Sequence, residues 1–264
     1  MIALVAVLAP WMLAAGFSLP LVDRLIFAPD RVMPKAPPGI EERTITTEDG
    51  VRLSAWHSPA RPSERFAVAP TILWSHGNAG NIANRAPIQL ALADRGVNVL
   101  AYDYRGYGRS DGRPTEDGVY LDARAAFDSL VAAGVPASRI VCFGESLGGA
   151  VSIELALARR CAGVAVVSTF TSIGDVAREH FGVLGILATG RFDSAARIGS
   201  LSVPLFQAHG DRDEVVPFEL GERLHAAAPK PKRFLRVPGA SHNDIFASEE
   251  LLDAIAGFAT KVAR

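Results

Sequence analysis

Cys142-Phe143-Gly144-Glu145-Ser146-Leu147-Gly148-Gly149 sets a serine in a Gly-x-Ser-x-Gly frame near the middle of a chain of 264 residues. The apolar run 139–143 before it reads as a buried strand and the stretch 150–158 after it as a helix, with Val151, Ile153, Leu155 and Leu157. A serine held on a sharp strand-to-helix turn is exposed at the edge of a sheet, where a base can reach its hydroxyl. The turn strains the serine's backbone and draws neighbouring main chain close, so Gly144 and Gly148 are expected where a Cβ would collide.

A nucleophilic serine needs a histidine, and the histidine needs a carboxylate to fix its tautomer. With this elbow the chain order runs serine, acid, histidine. His57 and His76 precede Ser146, and His180 and His209 precede the best acids; His225 sits on an amphipathic helix-like stretch, 218–228. His242 lies in the turn-rich segment Pro238-Gly239-Ala240-Ser241-His242-Asn243-Asp244, where a side chain can project over a sheet edge, and is the expected base. The acid is expected in the loop after the strand-like run 203–208, at Asp211, Asp213 or Glu214.

Five ordered segments resemble the α/β-hydrolases: HGNAGN (76–81), DYRGYGRSDG (103–112), GESLGG (144–149), HGDRDEVVP (209–217) and GASHND (239–244). Within that superfamily they are most similar to the branch of the alpha/beta hydrolase domain-containing protein 13 and 17 types. The resemblance implies an ester- or thioester-cleaving serine hydrolase with Ser146 as nucleophile, His242 as base and Asp213 as acid, Asp211 being the runner-up. It also implies an oxyanion hole made by the backbone amides of Asn78 and Leu147, with His76 packed beneath the loop. Halide- or epoxide-cleaving relatives would carry an aspartate in place of Ser146. Peptidase chemistry on the same three residues is the nearest enzymatic rival. A silent binding fold would have no reason to retain all five polar segments.

Alternating strand and helix patterns predict a mostly parallel, doubly wound sheet of eight strands with helices on both faces, preceded by an N-terminal apolar helix, and the resemblance implies that this is the α/β-hydrolase fold. Segments 44–47 and 51–58 read as an antiparallel hairpin turned at Asp49-Gly50. The catalytic domain is expected over 42–264, with 170–200 as a small cap. Its Phe170, Ile173, Phe181, Val183, Leu184, Ile186, Leu187 and Phe192 would line an acyl pocket.

Residues 1–22 carry no charged side chain, which predicts a single-pass transmembrane anchor followed by a Pro-rich spacer, 23–41. Arg24, Arg31 and Lys35 on its C-terminal flank would leave the catalytic domain in the cytoplasm. A cleaved signal peptide, giving a secreted or periplasmic enzyme, is the alternative, although a basic segment ahead of the apolar run is missing. A net charge of −1 and the lack of a basic, aromatic-studded patch argue against nucleic acid as partner. The expected partners are a small or lipid-like acyl substrate and the membrane. No cofactor or metal is expected: Cys142 and Cys161 read as buried packing residues.

Overall fold

The computed structural model describes residues 20–62 and 68–263. Eight strands form one sheet: β1 (Glu41–Thr46), β2 (Arg52–Ser58), β3 (Thr71–Ser75), β4 (Asn98–Tyr102), β5 (Ile140–Glu145), β6 (Gly163–Val167), β7 (Leu205–Gly210) and β8 (Lys232–Val237). Their order is β8-β7-β6-β5-β3-β4-β2-β1. The sheet is mixed: β1 pairs with β2 and β2 with β4 antiparallel, and the other neighbours are parallel. The β1–β2 hairpin turns at Asp49-Gly50, and Gly50 takes the positive φ of +81° that a residue with a Cβ resists.

The central strands are buried at nearly every position and mostly apolar, because both faces are covered. Along β5, Ile140 and Cys142 join one core and Val141 and Phe143 the other, the two-residue alternation of a strand. The first core is closed by α3 (Glu116–Ala132), α4 (Leu147–Ala158) and α7 (Phe218–Ala227), the second by α2 (Ala86–Asp94) and α8 (Glu249–Val262). Thr115 and Ser248 start α3 and α8 by accepting the amides of Gly118 and Leu251 with their hydroxyls. Cys142 and Cys161 are both buried and free.

Two expectations about the N-terminus are corrected. Among the described residues no helix is long and apolar enough to cross a membrane. The anchor expected over 1–22 lies outside the described residues as far as residue 19; from there Pro20–Ile26 forms the short helix α1. The single-pass anchor, and the placement of the domain that followed from it, are withdrawn. Nor is 23–41 a free spacer. Ile26 and Phe27 are buried in the first core, Phe27 meets Tyr107 and Phe192 edge to face, and Asp23 ion-pairs with Arg191. Ala28–Pro29 then pairs in parallel with Ala79–Gly80 as a two-residue ladder.

Between β6 and β7 lie α5 (Ile173–Phe181), a 3-10 segment (Gly182–Ala188) and α6 (Ser194–Ile198), where the cap was expected. Phe170 and Phe192 turn down into the first core, whereas Phe181 and Val183 face solvent at 68% and 83% exposure. The side chains of 184, 186 and 187 lie outside the described ones. The described apolar side chains here serve the core or the surface.

Candidate active site

Six neighbouring strands, β3 to β8, run in one direction, so their carboxyl ends share one edge, where sites gather on such sheets. Ser146 follows β5, Asn78 follows β3, Asp213 follows β7 and His242 follows β8. Ser146 has φ +50° and ψ −119°, the strained geometry of a nucleophile elbow. The approach is close: a Cβ on Gly148 would sit 1.9 Å from the Ser75 carbonyl oxygen, and one on Gly144 would sit 2.0 Å from that of Gly148. The Ser146 amide donates to the Val167 carbonyl at 2.9 Å, and the Thr169 hydroxyl donates to the Ser146 carbonyl at 2.9 Å. Leu147 opens α4, so its amide has no acceptor within the helix.

His242 Nε2 lies 3.2 Å from Ser146 Oγ, and its Nδ1 lies 2.8 Å from Asp213 Oδ2 and 3.0 Å from Oδ1. The Asp213 side chain is fully buried. Burial alone would raise its pKa, but hydrogen bonds from His209, His242 and the Val216 amide together hold it well below the usual carboxylate range. Oδ1 accepts the amides of Val215 and Val216 at 3.0 and 2.8 Å. His209 Nε2 donates to the Val216 carbonyl at 2.9 Å and lies 3.3 Å from Asp213 Oδ2. A carboxylate only accepts, so His242 carries its proton on Nδ1 and presents a bare Nε2 to the serine. Asp211 faces away: it binds Arg236 and the Gly239 amide on the outside of the turn that carries His242.

The loop after β3 is held from below by the segment beginning at Asp103. Tyr104 donates to the His76 carbonyl at 2.8 Å and Tyr107 to the Asn78 carbonyl at 2.6 Å. Asp103 Oδ1 accepts the Ile82 amide at 2.9 Å and lies 3.5 Å from His76 Nε2. Burial pushes the Asp103 carboxyl up to about 7 and the His76 imidazole down to about 3, so His76 packs as a neutral ring against Tyr104 and Tyr107. The segment 103–108 thus carries this loop.

A cavity of about 250 Å³ opens over Ser146 and His242. Gly77 and Asn78 border it on one side, Val167 and Ser168 on the other, and Ile88 and Phe246 supply apolar wall. None of the described side chains of 170–200 lines it; Phe170 and Phe192 lie in the core and Phe181 and Val183 in solvent, away from the expected acyl pocket.

Two proteins of Mycobacterium tuberculosis and Escherichia coli share most of this chain. The uncharacterized protein Rv2307c is 40% identical over 231 residues, covering 86% of this chain and 81% of that protein. The uncharacterized protein YfhR of strain K12 is 33% identical over 229 residues, covering 85% and 78%. This chain belongs to their family. A family model described as serine aminopeptidase, S33, matches residues 67–192. Among solved structures, an alpha-beta hydrolase from Vibrio vulnificus superposes with a TM-score of 0.74 at 21% identity, covering 93% of this chain and 95% of that one. The Pyrococcus furiosus esterase Pf2001 gives 0.73 at 23% identity, covering 90% and 99%. The fold is that of the α/β-hydrolases. The comparisons support the superfamily and do not extend to the narrower protein 13 and 17 type branch.

Several residues of the site escaped the sequence reading. Arg85 and Glu145 form an ion pair in the cavity wall, each 14% exposed, and Glu145 also accepts the Gly77 amide at 3.2 Å. His209, four residues before Asp213, supports the acid; the His-Gly-Asp-Arg-Asp spacing carried that signal. Ser168 also has a positive φ, +50°, beside Ser146.

Proposed function

We propose that this chain is a serine hydrolase that cleaves carboxylic esters or thioesters through an acyl-enzyme. The observation that carries the reading is the continuous contact from Ser146 Oγ through His242 to the buried Asp213. Ser146 attacks the acyl carbon while His242 Nε2 takes its proton, and Asp213 stabilises the imidazolium that forms. The imidazolium then protonates the departing oxygen or sulfur, and water repeats the sequence to release the acid. The amides of Asn78 and Leu147 would face the carbonyl oxygen as it gains charge; each such donor contributes about 10²–10³-fold.

Esters are favoured over peptides with a free N-terminus by the cavity's charges. An aminopeptidase must hold an ammonium group. The one carboxylate among the described residues lining the cavity, Glu145, is already paired with Arg85 and the Gly77 amide. The Pyrococcus neighbour's description as an esterase agrees with this choice. A volume of about 250 Å³ lies below the range of about 300–1,000 Å³ common for pockets that hold drug-sized ligands, so short acyl groups are expected. The test is a panel of p-nitrophenyl acetate, butyrate and octanoate, an acyl thioester and an aminoacyl p-nitroanilide, run with wild type and Ser146→Ala. Butyrate should exceed octanoate in kcat/KM, and Ser146→Ala should be inactive on every substrate. Faster turnover of the anilide than of any ester would overturn the ester reading.

A further inference from the structure

The loop proposed to supply the oxyanion hole lies between two supports. Tyr104, Tyr107 and Asp103 hold it from beneath, as any buried framework would. The second support is the N-terminal arm, 26–32, which crosses its outer side. The Ala28 amide donates to the Asn78 carbonyl at 3.0 Å and the Asp30 amide to the Gly80 carbonyl at 3.1 Å. In the reverse direction, Asn78 Nδ2 donates to the Ile26 carbonyl at 2.9 Å, and Asn81 Nδ2 to the carbonyls of Asp30 and Val32 at 3.2 and 2.9 Å. The arm is itself anchored, by Phe27 in the core and by the Gly108 amide on the Asp30 carbonyl at 2.9 Å.

We propose that the arm 26–32 is a positioning element of the active site, whose main chain clamps Asn78 and Asn81 and so sets where the Asn78 amide meets the reacting carbonyl. The inference rests on the serine-hydrolase reading above. Asn78 has its carbonyl tied to Ala28 and Tyr107 and its side-chain amide tied to Ile26, so the side chain serves the arm and the backbone amide is left for the cavity that the residue lines. Asn81 is built the same way: Oδ1 caps the following turn through the Ala83 amide, and Nδ2 reaches outward to the arm. Two neighbouring asparagines thus spend their amide groups on carbonyls of one short segment more than 45 positions earlier in the chain. An oxyanion donor works only when it is held in place before the reaction, and displacement of a reacting group by about 1 Å can cost about 10²-fold.

The test uses the full chain with Asn78→Ala, Asn81→Ser and the double variant. The Asn81→Ser change keeps an acceptor for the Ala83 amide while losing reach to the arm, so the cap survives. Each enzyme is titrated for competent sites, then assayed on p-nitrophenyl butyrate and for inhibition by a trifluoromethyl ketone, which forms a tetrahedral adduct on the serine. Each single variant should lose about tenfold in kcat and the double about a hundredfold, with KM within about twofold. Affinity for the trifluoromethyl ketone should fall by the same factor as kcat/KM. A merely structural arm would lower the titrated fraction and the melting temperature and leave kcat per titrated site unchanged; that result in the two single variants overturns the proposal. Wild-type turnover by Ser146→Ala would instead overturn the reading on which it rests.

Discussion

Replacing Asp213 by asparagine changes one atom's hydrogen-bonding sense, and the surroundings dictate the outcome. Oδ1 is committed to the amides of Val215 and Val216, so the asparagine oxygen takes that place. Its NH₂ then stands where Oδ2 was, facing His242 Nδ1 at 2.8 Å and His209 Nε2 at 3.3 Å. His209 must keep its proton for the Val216 carbonyl, so His242 is the ring that yields. Its proton moves to Nε2, opposite Ser146 Oγ at 3.2 Å, and the base can no longer accept the serine's proton. The expected loss in kcat is about 10⁴-fold, or about 5 kcal/mol of transition-state stabilisation. Asp211→Asn should cost less than about threefold, because its exposed pair with Arg236 contributes little and the new oxygen can still accept from Gly239. Steady-state turnover of p-nitrophenyl butyrate, normalised to titrated sites, measures both. An Asp213→Asn enzyme within about tenfold of wild type, or a larger loss at Asp211, would refute the assignment.

Other outcomes follow from the same site. Asp103 is an acid whose pKa is raised by burial to about 7, so its contribution to stability is fully present below the unfolded value of about 4 and is lost as pH rises from there through 7. Asp103→Asn should therefore gain stability relative to wild type between about pH 4 and 7 in urea titrations, and a constant offset between the two curves would contradict the assignment. Gly148→Ala should lower the melting temperature by more than about 5 °C, since its Cβ would meet the backbone oxygens of Ser75 and His76 and no side chain can move aside. An unchanged calorimetric transition would show that the elbow is looser than these contacts imply.

What could be read beforehand was whatever local sterics or chain order enforce. Gly144 and Gly148 are required by main-chain contacts of about 2 Å, so the elbow is written into the residues that form it. His242 and Asp213 follow strands, in an order the fold imposes, and the structure brings both to Ser146. The clamp at 26–32 left no such trace. Backbone carbonyls and amides carry its contacts, and its Pro-rich composition reads equally well as a linker. Arg85 and Glu145 are 60 positions apart and meet only through the tertiary fold. In 170–200 the apolar spacing was visible, but spacing alone does not distinguish Phe192 in the core from Val183 in solvent.

Covalent labelling tests whether Ser146 is the nucleophile. The full chain is treated with a fluorophosphonate, digested and analysed by mass spectrometry, in parallel with Ser146→Ala and His242→Ala. One adduct is expected, on the peptide containing Ser146; the alanine variant at 146 should remain unlabelled and inactive, and the variant at 242 should label at least about a hundredfold more slowly. An adduct on another residue, or wild-type ester turnover by folded Ser146→Ala, would contradict the account.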